Sequence, residues 1–592
     1  MNYDVSKFYS KCDHNDSYHD SFNAVKESFL TSDVESHNDK DRALLETTKL
    51  MNGIIAGTSE PYFYLSSVDP GSGKSSMVQN YIKRLRNSGF ERDFGILIVL
   101  FTFDEIDTYT NSCGLDESDY AVLCTDTDLQ KKGLGAYHAN SAWVLFTTHE
   151  MILRRTNGKS FSDATDFHFR NKARALRIWD ESLDPAKAVY IRLDDLDGLK
   201  APLRAGHAEL LNHTMAMADV TRNEPAGSIV PMPLELGDLA SIALIDRNSF
   251  EPSVVRTLDA LASLGGRNAV LIKEPKGGQV ALIGCSGDIP KDMAPLVILD
   301  ASGRLRKTYS LWDRHRGTLR VVADYAHDYR NLNIRWWNRG SGKTTLKADD
   351  QRAKIVKAMA DVINAKPSLK TLIIHNKVEG PTGKAIHPFV EELQEKLGIP
   401  DNVQFLHWGR HRATNQFRDY QRVFVVGLSI LPEGVSKAIF LAASGLPLHD
   451  PSFDEMKAIQ QSESMHQLLQ GVCRCNVRNI VDGMCGDAKV YIIASSMYLT
   501  QDLLTQTFPG CAITSWKPEG EKLSKNASLL ANALKRMFSN PEVHAVTKRQ
   551  VREATGISEK SLAKVLKQSA VLAFLNANAI AVKHHEIVRN TV

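Results

Sequence analysis

No Cys-x-x-Cys pair occurs among the eight cysteines of this 592-residue chain, and its nearest cluster, Cys473, Cys475 and Cys485, lacks the paired spacing of a zinc site. Scattered single cysteines also argue against a disulfide scaffold and point to a reducing compartment. No apolar run reaches the ~18 residues that a membrane helix needs. The opening Met1-Asn2-Tyr3-Asp4-Val5 has neither the basic start nor the apolar stretch of a secretory signal. A cytoplasmic protein with no membrane partner is expected. Charge of one sign is missing too: 72 Lys and Arg against 69 Asp and Glu leave +3, so any surface for nucleic acid has to be local. No internal repeat or low-complexity tract stands out.

What is present is an ordinary globular composition, 43% hydrophobic and 24% charged. The length suits three or four domains of roughly 100–200 residues each. Residues 1–45 are a polar, charge-mixed lead-in. Short apolar runs then alternate with helical patterns, which is how a parallel α/β sheet reads: Tyr62-Phe63-Tyr64-Leu65, Ile96 to Phe101, Val144-Leu145-Phe146 and, later, Pro295 to Leu299. Between them, residues 187–290 carry helical stretches such as Val254 to Leu264 broken by Pro and Gly, and read as a helical insertion. A second α/β set has strands at Thr371 to Ile374, Val403 to Leu406, Val423 to Val426 and Val490 to Ile493.

One stretch announces chemistry. Leu65 to Ser76 fits strand, glycine-rich turn and helix, with Gly71-Ser72-Gly73-Lys74-Ser75-Ser76 as a phosphate loop. The glycines let backbone N–H groups turn around phosphate oxygens, Lys74 reaches the β/γ-phosphates, and Ser75 can ligate Mg²⁺. The helix that follows points its positive end at the anion. Val68 stands where the first glycine of the pattern is usual. A second match, Gly340-Ser341-Gly342-Lys343-Thr344-Thr345, follows Trp336-Trp337-Asn338 with no convincing helix before Asp349, and reads as a solvent-exposed turn touching nucleic acid through Arg339 and Lys343. For a Mg²⁺ ligand and a general base, two Asp-Glu pairs compete: Asp104-Glu105 and Asp180-Glu181.

With Phe146-Thr147-Thr148-His149-Glu150 lying ahead of Asp180-Glu181, the sequence resembles the superfamily 2 helicases, especially the divergent forms of phages and mobile elements. The resemblance implies that Asp180 holds Mg²⁺ and Glu181 is the base, while Asp104 and Glu105, with Thr148 and His149, lie toward nucleic acid. Asp300-Ala301-Ser302 is similar to the motif that couples hydrolysis to strand movement. Ile374-His375-Asn376-Lys377 stands in place of the fourth motif. Trp408 to Phe417 resembles the fifth, with Thr414 and Asn415 on backbone phosphates and Ala413 where glycine is usual. Gln470 to Arg478 resembles the sixth. There Arg474 and Arg478, four apart, are expected on one helical face with Gln470 one turn before, reaching the γ-phosphate as arginine fingers. Cys473 replaces the usual glycine. The resemblance implies two RecA-like parallel-sheet lobes (46–186 with 291–325, and 326–515), ATP between them and a single strand across their top.

The segment 520–592 reads as a winged-helix-like domain. Thr547 and Ser558 are N-caps, Val551, Ile557, Leu562, Val565 and Leu566 form a seam, and Lys560, Ser561 and Lys564 face outward on a recognition helix. Ala579 to Val588 alternates like a wing, carrying His584-His585. The expected activity is ATP-dependent translocation or unwinding, on DNA because of this tail, with duplex bound there. Protein partners through the insertion or the tail are a further expectation. An ATP-switched DNA-binding regulator or replication initiator, and an RNA remodeller, are the rival readings.

Overall fold

The computed structural model describes residues 38–88, 92–274, 278–377, 388–398, 401–409, 416–518, 525–540, 542–568, 571–572, 574–575, 578–583 and 585–589. They form two compact units: one runs to Arg352 and resumes at Lys366 to Thr514, the other joins Ala353–Ala365 to the residues from Ser515 on. Among the described residues no helix is long and apolar enough to cross a membrane.

The first unit holds two parallel α/β sheets. In the first, β1 (Phe63–Val68), β2 (Ile96–Leu100), β3 (Tyr120–Leu123), β4 (Val144–Thr148), β7 (Leu176–Asp180), β12 (Leu296–Leu299) and β13 (Leu319–Tyr325) lie in the order β13-β1-β12-β7-β2-β4-β3. Every pairing in it is parallel. A parallel sheet is covered on both faces, which is why β2 is the unbroken run Ile-Leu-Ile-Val-Leu. Its side chains alternate between two cores: Ile96, Ile98 and Leu100 join Phe146, while Leu97 and Val99 join Leu65 and Leu145. Each such side chain contributes about 1.5–3 kcal/mol by leaving water. The helices that cover or edge this sheet are α1 (Asn38–Ile55), α2 (Lys74–Asn87), α3 (Phe103–Ser112) and α4 (His149–Arg155), with a short hairpin, β5 (His168–Phe169) and β6 (Lys172–Ala173), leading into β7.

The segment between β7 and β12 departs from the helical insertion expected of it. It does contain helices α5 (Ala208–Asn223), α6 (Leu234–Ala243) and α7 (Pro252–Leu264), but they pack on an antiparallel sheet of β8 (Lys187–Arg192), β9 (Ile229–Pro231), β10 (Asn268–Lys273) and β11 (Val280–Ser286), ordered β8-β11-β10-β9. Short strands bounded by Pro and Gly hide behind the longer helical pattern. Ala269, Leu271 and Leu282 face the segment's own helices. Val270, Ile272, Ala281 and Ile283, one residue out of phase, form a second core with Ala438, Phe440, Leu441 and Ala443.

Those last residues belong to α9 (Glu433–Ser444) of the second α/β half. Its sheet has the order β16-β15-β17-β18-β14-β19, from β14 (Leu332–Asn338), β15 (Thr371–His375), β16 (Val403–His407), β17 (Arg422–Val426), β18 (Ala488–Ala494) and β19 (Ala512–Ser515). The pairings of β14 through β18 are parallel. Helix α8 (Lys343–Lys347) follows β14, and α10 (Phe453–Val472) leads toward β18.

The second unit has α11 (Lys525–Met537), α12 (Lys548–Thr555) and α13 (Glu559–Val565) with three antiparallel strands, β20 (Ala545–Thr547), β21 (Ile580–Val582) and β22 (Glu586–Arg589), ordered β20-β22-β21. Thr547 and Ser558 cap α12 and α13, and Val551, Ile557, Leu562, Val565 and Leu566 are buried together. His584 lies outside the described residues.

One buried side chain holds the loops beneath the first sheet. Arg174 donates to the carbonyls of Phe167, Ile96, Trp143, Ala139 and His168 at 2.7–3.2 Å and is fully enclosed. Arg174→Leu removes all five of these hydrogen bonds and should cost about 3–5 kcal/mol, read as a lower urea midpoint. Arg174→Lys, with three donors for five, should recover only part of it. A midpoint unchanged in the leucine variant would contradict this role.

Candidate functional site between the two sheets

The central strands of both sheets are short and buried, so the residues that act are those just past their C-terminal ends. At the end of β1 the chain runs through Asp69-Pro70-Gly71-Ser72-Gly73 into α2. Gly71 and Gly73 have φ of +88° and +92°, the left-handed geometry that turns successive N–H groups inward, and Gly73 caps a 14-residue helix. Val68 is fully buried and registered opposite Tyr325. It is the last strand residue and not part of the turn, which explains why glycine is absent there. Lys74 folds back so that Nζ donates to the carbonyls of Val68 and Asp69. Burial pushes its pKa down to about 8, against the pull of Asp180, Asp69 and Asp300. Ser76 lies in the same first turn, partly buried.

The competition between the two Asp-Glu pairs is decided by what each carboxylate touches. Glu105 accepts from the N–H groups of Phe101 and Thr102 and completes a capping box for α3, a structural task. Asp104 is exposed. Asp180, at the end of β7, takes 3.0 Å and 2.7 Å hydrogen bonds from Ser75 Oγ and Tyr109 Oη. A serine hydroxyl and a carboxylate oxygen this close are hard oxygen donors of the kind Mg²⁺ prefers alongside phosphate, so the residues fit that ion. Glu181 follows with φ of +79°, a strained value for a side chain of its size, and its N–H donates to Leu299 O at 3.1 Å.

The second sheet's contribution arrives at Gly71. A Cβ there would lie 2.7 Å from the Arg478 carbonyl oxygen and 2.9 Å from its Cγ, so only glycine permits the approach. Arg474 and Arg478 do not share a helical face, contrary to the spacing argument. Helix α10 stops at Val472 with Cys473 as its cap, and Arg478 closes a separate 3₁₀ turn, Asn476–Arg478. Gln470 remains on α10, partly buried. The two arginines are nonetheless neighbours. Burial, then Arg474, lowers the Arg478 pKa to about 10, and Glu181 opposes the drop.

Asp300-Ala301-Ser302 also bridges the two halves. Asp300 accepts from Ser302 N and Oγ and, at 2.9 Å, from Tyr309; Ser302 Oγ meets His466 of α10. Against its burial, His466, Arg306 and the Ser302 bonds hold the Asp300 carboxyl below the usual range. Arg306 in turn binds Asp184 and, through Nε at 2.9 Å, Glu463 of α10. His149 and Thr148 sit differently from what was expected. His149 stacks on Trp179 at 4.2 Å and bonds the Asp180 carbonyl oxygen at 2.8 Å, and the Thr148 hydroxyl caps α4. Thr414 and Asn415 lie outside the described residues. In the second unit, Lys560 and Lys564 are exposed on α13, and Ser561 is partly covered beside its cap, Ser558.

The other loop, Gly340 to Thr345, corrects its sequence reading in part. It does follow a strand, β14, and α8 opens at Lys343; Ser341 is buried, its Oγ bonded to Ile493 O. Neither glycine takes a positive φ, however, and α8 has five residues, so no inward nest of N–H groups forms.

Sequence reasoning missed the partners of Asp69. This fully buried carboxylate accepts from Arg304 at 2.9 and 3.2 Å, Tyr329 Oη at 2.6 Å and His327 N at 3.1 Å. It also missed Tyr109. The signals were an acid inside the loop turn and a tyrosine one helical turn after Glu105.

Two parallel sheets, a phosphate loop on one and arginines from the other define a two-lobed phosphate-loop α/β protein. No family model and no curated protein matches the chain. Similar solved structures include the helicase Lhr of Mycobacterium smegmatis bound to ssDNA and AMP-PNP, at 12% identity and TM-score 0.36 over 96% of this chain and 60% of that one. Dbp5 of S. cerevisiae bound to RNA and ADP BeF3 is 10% identical, with TM-score 0.35 over 84% and 94%. A DEAD box protein from the hyperthermophile Methanococcus jannaschii is 9% identical, with TM-score 0.29 over 83% and 96%. The chain thus spans 60% of the length of the Lhr structure it matches.

His327 gives the site a pH signature. Its Nε2 lies 3.1 Å from the Pro70 carbonyl and 3.0 Å from Ser72 Oγ, which itself donates to Asp69 O. A carbonyl only accepts, so Nε2 carries the proton of a neutral ring. Burial lowers the pKa from 6.5 to about 4. The unfolded chain therefore protonates first as pH falls: this stabilisation is complete above about 6.5 and is lost progressively down to about 4. His327→Gln should flatten the fall of thermal stability across that window; an unaltered slope would show that another group is responsible.

Proposed function

We propose that the chain is an ATP-dependent nucleic-acid translocase or helicase, with DNA favoured over RNA. The observation that carries the reading is the meeting of Lys74, Ser75 and Asp180 from one sheet with the Arg474–Arg478 turn from the other around Gly71. The first lobe is 46–186 with 291–325, the second 326–515, and 520–592 is a winged-helix-like module. In this reading Lys74 and the loop N–H groups bind the β/γ-phosphates, and Ser75 and Asp180 hold Mg²⁺, which when bound neutralises phosphate charge. Glu181 takes the proton of the attacking water. Arg474 and Arg478 stabilise charge on the γ-phosphate once the lobes close, and Asp300 with Ser302 reports that closure to α10 through His466. Lys560, Ser561 and Lys564 contact duplex backbone.

One observation favours a second reading, an ATP-switched DNA-binding regulator without unwinding. The inserted sheet buries Val270, Ile272, Ala281 and Ile283 against α9. Glu274 accepts from both Tyr190 Oη and the Gly434 N–H at 3.0 Å, which ties the insertion to the start of that helix. Such a brace limits how far the halves separate.

The deciding measurement is ATP turnover across single-stranded, duplex and forked DNA and RNA, run beside a strand-separation assay. Stimulation by single strands with unwinding supports the motor; ATP-dependent duplex binding without unwinding supports the switch. Lys74→Ala should abolish turnover. Glu181→Gln should retain nucleotide and lose at least ~100-fold in rate, about 3 kcal/mol of barrier. Arg478→Ala should lower turnover more than nucleotide binding. If Glu181→Gln turns over normally while Glu105→Gln does not, the assignment of the base is wrong.

A further inference from the structure

Two phenylalanines flank Thr102 at the junction of β2 and α3. Phe101 is 41% exposed and Phe103 40%, and both line one cavity of about 260 Å³ with Thr125, Thr148, Glu150 and Arg154. Single apolar side chains on a surface are ordinary, whereas two aromatic rings opening into one hollow ask for an occupant. The junction is already fixed. Thr102 caps α3, and Glu105 holds the N–H groups of both Phe101 and Thr102, so little order remains to be imposed when something binds.

The lining narrows the occupant. Glu150 and Arg154 give one charge of each sign, which does not suit a phosphate. Thr102, Thr125, Thr148 and Met151 complete the lining beside the two rings, a mixed surface that suits a flat ring with polar edges. The volume is below the 300–1,000 Å³ typical of small-molecule pockets, so it matches one planar group and not a whole ligand. The hollow opens past the C-terminal ends of β2 and β4, the same edge of the sheet that carries Asp180.

Both rings are also one step from the carboxylate at the centre of the site. Phe103 opens α3, and Tyr109 on that helix donates to Asp180 Oδ2 at 2.7 Å. Phe101 meets His149 edge-on at 5.7 Å, and His149 bonds the Asp180 carbonyl oxygen at 2.8 Å. We propose that Phe101 and Phe103 are a stacking platform for one unpaired nucleobase, and that Tyr109 and His149 carry its occupancy to Asp180. The proposal rests on the nucleic-acid reading above and adds that the protein grips bases as well as backbone.

The test measures binding of the full chain, by fluorescence anisotropy at fixed salt, to a single-stranded oligonucleotide and to the same backbone carrying abasic sites. Stacking on aromatic side chains predicts about 10-fold weaker binding of the abasic strand by the wild-type protein. The Phe101→Ala/Phe103→Ala variant should bind the two strands alike, and Phe101→Tyr/Phe103→Tyr should restore the difference. Tyr109→Phe should keep the preference for the intact strand while losing most of the stimulation of ATP turnover by it. Equal binding of both strands by the wild-type protein overturns the platform, because a hollow for a protein side chain or an empty one ignores bases; the translocase reading then stands. Full stimulation in Tyr109→Phe overturns the link to Asp180. Binding of neither strand, with turnover indifferent to nucleic acid, overturns the platform and the translocase reading together.

Discussion

A buried charge pair underlies the arrangement: the Asp69 carboxylate, fully enclosed, against the Arg304 guanidinium. Taking both ions out of water costs several kcal/mol each and is recovered only when the remaining donors and acceptors are filled. They are filled from both halves of the unit. Tyr329, rooted in the second sheet's core, and the His327 N–H complete Asp69, while the other Arg304 donors reach the Gln506 and Thr507 carbonyls. The charge pair at the base of the phosphate loop is therefore fully satisfied only while the second sheet stays in contact.

Helix α10 extends that dependence along 20 residues. Its Gln460 and Ser464 bond the carbonyls of Leu431 and Ser429 beyond β17, Glu463 and His466 reach Arg306 and Ser302 across the divide, and its end sets the Arg474–Arg478 turn. Buried polar contacts of this kind tolerate few alternatives, so two discrete arrangements are easier to support than a continuum. The inserted sheet, packed on α9, adds an apolar anchor to these polar ones.

Much of this was legible in advance. The parallel sheets announced themselves through runs such as Ile96 to Leu100 and Val423 to Val426, because burial on both faces leaves no polar alternation. Thr547 and Ser558 were readable as caps because capping chemistry is local. The two-sheet architecture implied by the helicase resemblance is met. What stayed hidden was non-local. The strands of the insertion are short, and β8, β10 and β11 each turn one face toward α9, a surface supplied about 150 residues later in the chain. The Arg474–Arg478 spacing fits a helix, yet Cys473 ends it, since the chain must turn there to bring Arg478 against Gly71. No pattern near Tyr109 or Arg304 says which carboxylate each will meet.

The position of β1 has a consequence for how the polypeptide comes off the ribosome. Its two neighbours, β12 and β13, begin at Leu296 and Leu319, whereas β1 itself ends at Val68. At a synthesis rate of about 5–20 residues per second, the strand that feeds the phosphate loop waits roughly 10–50 s with both of its edges bare. During that interval β2, β4 and β3 can pair with one another, and the insertion can close around its own helices, but the loop cannot be set. A nascent chain in this state offers an open apolar strand to any passing edge.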